Sequence, residues 1–173
     1  YVIMENLKHF LSQHEHRSNN TNEPLVFGKR LQNPFPVGDW QTDSKWFANN
    51  NSLDRDFGLR FRERIPDNTK IIYNHGGPGY VMNRKYFELL ANTLQSEDTV
   101  AGGNPPEDMA HAMTMLYQGV TPKDARDEQG RERFHPETPD FMFRSPTTWL
   151  DVFSADPLKA GVDCFSPYSI SIH

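Results

Sequence analysis

A single cysteine, Cys164, in 173 residues excludes an internal disulfide framework. Followed by Phe165, it reads as a small buried hydrophobe rather than a nucleophile. No apolar run approaches the length needed to cross a bilayer. Basic charge is also short: 18 Lys and Arg against 23 Asp and Glu leave a net charge of −5. No basic stripe with interleaved aromatics is present, which argues against a nucleic-acid partner. No internal repeat or low-complexity tract stands out. No signal peptide is visible, but residue 1 is Tyr rather than Met. The chain is therefore expected to be processed or part of a longer protein, and a missing targeting signal carries little weight.

What is there suits one globular domain with generous loops. Hydrophobic residues make up 36% and charged residues 24%, a balance that can bury a core. Thirteen prolines and eleven glycines imply many turns. Ile3, Leu7, Phe10 and Leu11 share one face at helical spacing. Pro24 to Gly28 reads as a short buried strand. Residues 31 to 69 lack sustained periodicity and hold Trp40 and Trp46, so 31–70 reads as a long insertion packed by its aromatics. Lys70 to Tyr73 is strand-like. Asn83 is placed to cap a helix over Tyr86, Phe87, Leu90 and Leu94. A second helix begins at Glu107-Asp108-Met109 after Pro105 and Pro106, with Met109, Ala112, Met113 and Leu116 on its apolar face and Gly119 at its end. A short aromatic helix is expected around Trp149 to Phe153, and an alternating edge strand over Tyr168 to His173. Interleaved helices and strands favour an α/β class. Two N-x-S/T triplets, at Asn19 and Asn50, point weakly to the secretory pathway.

Several constellations can carry chemistry, and each has a plainer structural alternative. Gly76-Gly77-Pro78-Gly79 allows tight backbone and close approach by a ligand, though it also fits an ordinary turn. It meets neither the Rossmann nor the P-loop spacing. Glu107 and Asp108 sit where a helix dipole favours carboxylates, and an Asp held there suits a general base; capping alone also explains them. His135, in Phe134-His135-Pro136, and His173 have imidazoles suited to Mn²⁺ or Zn²⁺, but no self-sufficient metal motif occurs among the seven histidines. Asp54-Arg55-Asp56 is formally a DxD triplet. It follows an Asn-rich stretch rather than an apolar strand, and reads as a solvated charge cluster.

Taken in order, several blocks resemble one family. Tyr1 to Leu11 resembles the helix after that family's acidic metal motif. Glu23 to Arg30 (EPLVFGKR) resembles its "EP-apolar-aromatic-FG" strand. Gly76 to Met82 (GGPGYVM) resembles its "GGAGYV" loop. Glu107-Asp108-Met109, Asp124-Ala125-Arg126-Asp127 and Gly130 to Pro136 resemble its ED motif and "DSRD…G…FHP" segment. Cys164 to His173 resembles the stretch closing on an "SFH" strand. The family is glycosyltransferase family 31, of the core 1 β1,3-galactosyltransferase type, and the chain resembles its C-terminal part.

The resemblance implies a GT-A type fold, a mixed sheet flanked by helices. It implies an inverting, Mn²⁺-assisted transfer of galactose from UDP-galactose to the 3-hydroxyl of O-linked N-acetylgalactosamine on a glycoprotein or glycopeptide. Carried over by position, Asp108 is the catalytic base and Glu107 supports the acceptor. Gly76, Gly77, Gly79 and Tyr80 shape the pocket, Trp149 lies near the acceptor, and His173 is a metal ligand, with His135 as the alternative. The resemblance further implies a Golgi-lumenal type II membrane protein with its anchor upstream of residue 1; a homodimer is a candidate assembly. The chain departs from the pattern at Pro78, which replaces Ala, and in keeping only Cys164 of paired cysteines. The acidic metal motif is expected just before Tyr1, so the numbered chain is expected to be inactive alone. Two alternatives stand beside this expectation: a non-catalytic GT-A-like chaperone or glycan-binding module, and a fringe-like transfer of N-acetylglucosamine.

Overall fold

A computed structural model describes residues 1–17, 23–37, 52–96, 106–144, 149–159 and 161–173, without the side chains of 15–17, 52–56 and 144. Asn19, Trp40, Trp46, Asn50 and Pro105 lie outside the described residues. The described part is a mixed α/β arrangement of short strands and helices. Its centre is a bent antiparallel ribbon. Strands β1 (Val26–Gly28) and β2 (Arg30–Gln32) follow each other with only Lys29 between them. They run against β4 (Tyr80–Met82) and β3 (Ile72–Asn74), respectively. Gly28 pairs with Tyr80 and Arg30 with Asn74, so the 75–79 loop bulges out opposite Lys29. The Lys29 carbonyl accepts the His75 N–H at 2.9 Å and ties down the base of that bulge.

Helix α1 (Met4–Arg17) buries Phe10 edge-on against Phe27, with Phe134 and Ile170 in the same apolar cluster. Helix α3 (Arg84–Thr93) starts where Asn83 caps it: the Asn83 side-chain oxygen accepts the Tyr86 N–H at 2.9 Å and also the Leu25 N–H at 3.0 Å. One side chain thus starts the helix and fixes it to the strand before β1. Helix α4 (Glu107–Tyr117) ends at Gly119, whose φ of +79° favours glycine and lets the Gly119 N–H reach the Leu116 carbonyl. It is buried on two sides. Met109, Ala112, Met113 and Tyr117 enter one cluster, and Met115 enters another with Val26 and Tyr86.

Within 31–70, where the sequence shows no sustained periodicity, the chain forms β2 and a helix, α2 (Ser52–Arg64). Phe57, Phe61 and Ile65 of that segment are buried against Ile71 and the α4 face. Those side chains recur four residues apart, but charged residues between them hide the pattern. Asp54 and Asp56 fall on α2; their side chains lie outside the described residues.

The C-terminal half is irregular. Strand β5 (Phe134–His135) pairs in parallel with β6 (Ser171–Ile172), the only part of the alternating 168–173 segment that pairs as a strand. Helices α5 (Pro139–Arg144) and α6 (Trp149–Phe153) and a 3₁₀ turn, Gly161–Cys164, fill the space between. Cys164 is buried, as expected, and burial pushes its thiol up to about 11. The half is tied to the ribbon through Lys29, whose ammonium donates to Glu132 at 2.5 Å and to Ser154 at 2.9 Å, and through Arg30, which holds Asp156. No described helix is long and apolar enough to cross a membrane.

Candidate active site

The 75–79 loop leaves the ribbon opposite Lys29 and meets the first turn of α4. The Gly76 N–H donates to Asp108 Oδ2 at 3.2 Å, while Asp108 Oδ1 accepts the Met109 N–H at 2.8 Å. Both carboxylate oxygens are therefore oriented by main-chain donors, at the helix end where the dipole favours negative charge. A Cβ at Gly76 would lie 3.8 Å from Asp108 Oδ2 and 3.9 Å from Glu107 Oε2, ordinary contact distances, so the loop passes directly over both carboxylates. Gly79, with φ +73°, turns the chain back into β4. The Tyr80 hydroxyl then donates to Glu107 Oε1 at 3.3 Å.

Burial and these carboxylates set the surrounding titrations. Burial, reinforced by Asp108, pushes the Tyr73 phenol up to about 12. Tyr80 is raised by burial and then by Glu107. His75 and His111 are both lowered by burial; Asp108 opposes the shift at His75, and Glu107 and Asp108 oppose it at His111. Two imidazoles held below their ordinary range thus flank the carboxylate pair.

Most of the candidate residues converge here. Gly76, Gly77, Gly79, Tyr80, Glu107 and Asp108 form one face. Trp149, 37% exposed at the start of α6, lies with its ring centroid 5.5 Å from that of His75, and its indole N–H donates to Glu137 at 3.2 Å. The exposed His173 ring reaches the same loop: a Cβ on Gly77 would lie 3.3 Å from His173 Cγ and 2.8 Å from His75 Cε1. His135 is not at this face. It is fully buried, stacked on Phe165 at 4.2 Å and hydrogen-bonded to Ser169 at 2.9 Å. The Ser169 hydroxyl hydrogen is committed to the Ser166 carbonyl, so His135 donates through Nε2 and keeps a bare Nδ1. Burial pushes its imidazole down to about 4. Among the described residues, no three His, Cys, Asp or Glu side chains come together as a metal-holding group.

Sequence reasoning left out four participants: Tyr73, His75, His111 and Glu137. His111 had a readable signal, four residues after Glu107 and three after Asp108, hence on their side of the helix. His75 directly precedes the glycine pair. Tyr73 and Glu137 enter only through tertiary packing.

No protein-family model matches the chain. Over 161 residues it is 30% identical to glycoprotein-N-acetylgalactosamine 3-beta-galactosyltransferase 1 of Xenopus laevis. The match takes in 88% of this chain and 42% of that protein, so the chain spans less than half the length of the curated relative. By this similarity the chain is related to a galactosyltransferase.

Proposed function

We propose that the full-length protein is an inverting glycosyltransferase that moves galactose from UDP-galactose to the 3-hydroxyl of O-linked N-acetylgalactosamine, and that this chain carries the acceptor side of its site. One observation carries the proposal: Asp108 is held by the Gly76 amide and the α4 amino terminus, beside Glu107, on an open face bordered by Trp149. Similarity to the Xenopus galactosyltransferase supports the reaction class. Asp108 takes the acceptor hydroxyl proton as that oxygen attacks the anomeric carbon; the bond from that carbon to the UDP oxygen breaks, and UDP leaves with the electron pair. Glu107, steadied by Tyr80, and the Trp149 ring orient the acceptor sugar. A GT-A fold, a Golgi-lumenal location and Mn²⁺ at the diphosphate belong to the same proposal. When bound, the metal would neutralise charge on the leaving group. Among the described residues His173 is the exposed imidazole nearest the loop. The roles proposed for this chain's residues are proton transfer at Asp108 and positioning by Glu107, Tyr80 and Trp149, with His173 as the candidate metal ligand.

The test is UDP release by the full-length protein with UDP-galactose and an N-acetylgalactosaminyl peptide. Asp108→Asn should lower turnover by about 10²–10⁴-fold, the range that general-base catalysis contributes, and leave UDP binding unchanged. Turnover retained in that variant removes Asp108 from the base role. No UDP release with any donor favours a glycan-binding module instead; release only with UDP-N-acetylglucosamine favours fringe-like transfer.

A further inference from the structure

Behind the carboxylate pair lies a second row of polar groups that the proposed reaction does not use. His111 sits one turn along α4 from Glu107 and Asp108, and its ring centroid is 5.5 Å from that of Tyr80. On its far side the Tyr86 hydroxyl of α3 lies 3.0 Å from His111 Nε2, with the two rings nearly perpendicular. Tyr86 is itself buried, in the cluster with Val26 and Met115 that Tyr80 packs against. A chain of contacts therefore runs from the α3 core through Tyr86 and His111 to Tyr80, whose hydroxyl ends on Glu107.

A half-buried imidazole bonded to a buried phenol is an unusual choice for a helix face that could pack with Leu or Met. A satisfied imidazole has a fixed ring plane, whereas an aliphatic side chain can change rotamer. The plane here forms the wall against which Tyr80 rests. We infer that His111, anchored by Tyr86, is a positioning residue that sets the orientation of Tyr80 and, through it, of Glu107 toward the acceptor sugar. This rests on the acceptor-side function proposed above.

Among the described residues, the titratable groups facing His111 are Glu107 and Asp108 on its own helix, Tyr80 from β4 and Tyr86 from α3. Burial lowers the imidazole, and the two carboxylates oppose that shift. Protonation of His111 would place a cation beside Glu107 and Asp108 and weaken the base. The acidic limb of the activity profile should therefore carry a His111 contribution.

The experiment uses the full-length protein, with UDP release as readout and thermal melting as the check on folding. His111→Leu is expected to lower kcat roughly fivefold to tenfold, about what one displaced hydrogen bond commands, with the donor KM unchanged. His111→Gln, which keeps a polar partner for Tyr86, should recover most of the loss. If His111→Leu does not fold, Tyr86→Phe cuts the same bond from the other side and should give the same fall. Because His111 acts through Tyr80, Tyr80→Phe with His111→Leu should be no slower than Tyr80→Phe alone. A kcat within twofold of wild type in the single variants, or losses that multiply in the double variant, would overturn the assignment. Should the wild-type protein show no turnover, the proposed reaction falls, and NMR titration of His111 decides the contact by itself. A midpoint that moves in Tyr86→Phe supports it, and an unmoved midpoint rejects it.

Discussion

Replacing Lys29 with Met keeps the buried aliphatic stem and removes only the ammonium. In the native protein that side chain is 1% exposed, with its ammonium 2.5 Å from Glu132 and 2.9 Å from Ser154. The Glu132 side chain is 8% exposed, and burial already raises it above the usual carboxylate range against the pull of Lys29. Without the cation the carboxylate cannot stay ionised at low cost, so it takes up a proton on folding. At pH 7 that uptake costs up to about 3 to 4 kcal/mol, from 1.36 kcal/mol per pH unit above an unfolded value near 4.3. At pH 5 the same arithmetic gives about 1 kcal/mol. The sign follows from linkage: the folded carboxyl, raised above its unfolded value, binds the extra proton, so its contribution is complete below about pH 4.3 and is lost as pH rises. Urea unfolding of Lys29→Met and wild type at pH 5 and pH 7 measures the difference directly. The stability gap should widen by up to about 2 to 3 kcal/mol between the two pH values, less whatever the raised wild-type Glu132 itself loses. A gap of the same size at both, or one under about 1 kcal/mol at pH 7, would refute the buried-pair account. Lys29→Met with Glu132→Leu should recover most of the loss, because a matched apolar pair replaces a buried ion pair at little cost.

The same ribbon position bears on activity, because the Lys29 main chain holds His75. Gly77→Ala would place a Cβ 2.8 Å from His75 Cε1 and 3.3 Å from His173 Cγ, so both rings must shift. UDP release should fall at least tenfold, while the melting temperature moves by only a few degrees, since both rings border an open loop. Phe61→Ala empties a fully buried site in the cluster that packs α2 on α4, and should cost about 3 to 5 kcal/mol by urea unfolding. A cost near 1 kcal/mol would mean that α2 does not support α4.

Local signals carried the parts of the fold that depend on few residues. Asn83 before a run of helix formers, Gly119 after an apolar periodic stretch, and the β-branched and aromatic residues of 24–28 and 70–73 each fix their own element within a few bonds. The glycine loop and the Glu107–Asp108 helix start were legible for the same reason: each is a short pattern with a local cause. Helix α2 was not legible. Phe57, Phe61 and Ile65 stand between charged residues, and the helix is set by what it packs on, Ile71 and α4, far along the chain. His111 followed from helical spacing, but its purpose depended on Tyr86 and Tyr80, contributed by α3 and β4.

The sequence by itself therefore determined where α3 and α4 begin, which face of α4 is apolar, and which residues have chemistry to offer. Only the tertiary structure decided which of them meet. It set the 75–79 bulge against the α4 amino terminus, because β1–β2 and β3–β4 pair in a register that places Lys29 opposite the loop. It brought the exposed His173 to that loop while enclosing His135 beside Ser169. The physical reason is the same throughout: capping and periodicity act over a few residues, whereas a site is assembled by burial and strand register among residues tens of positions apart.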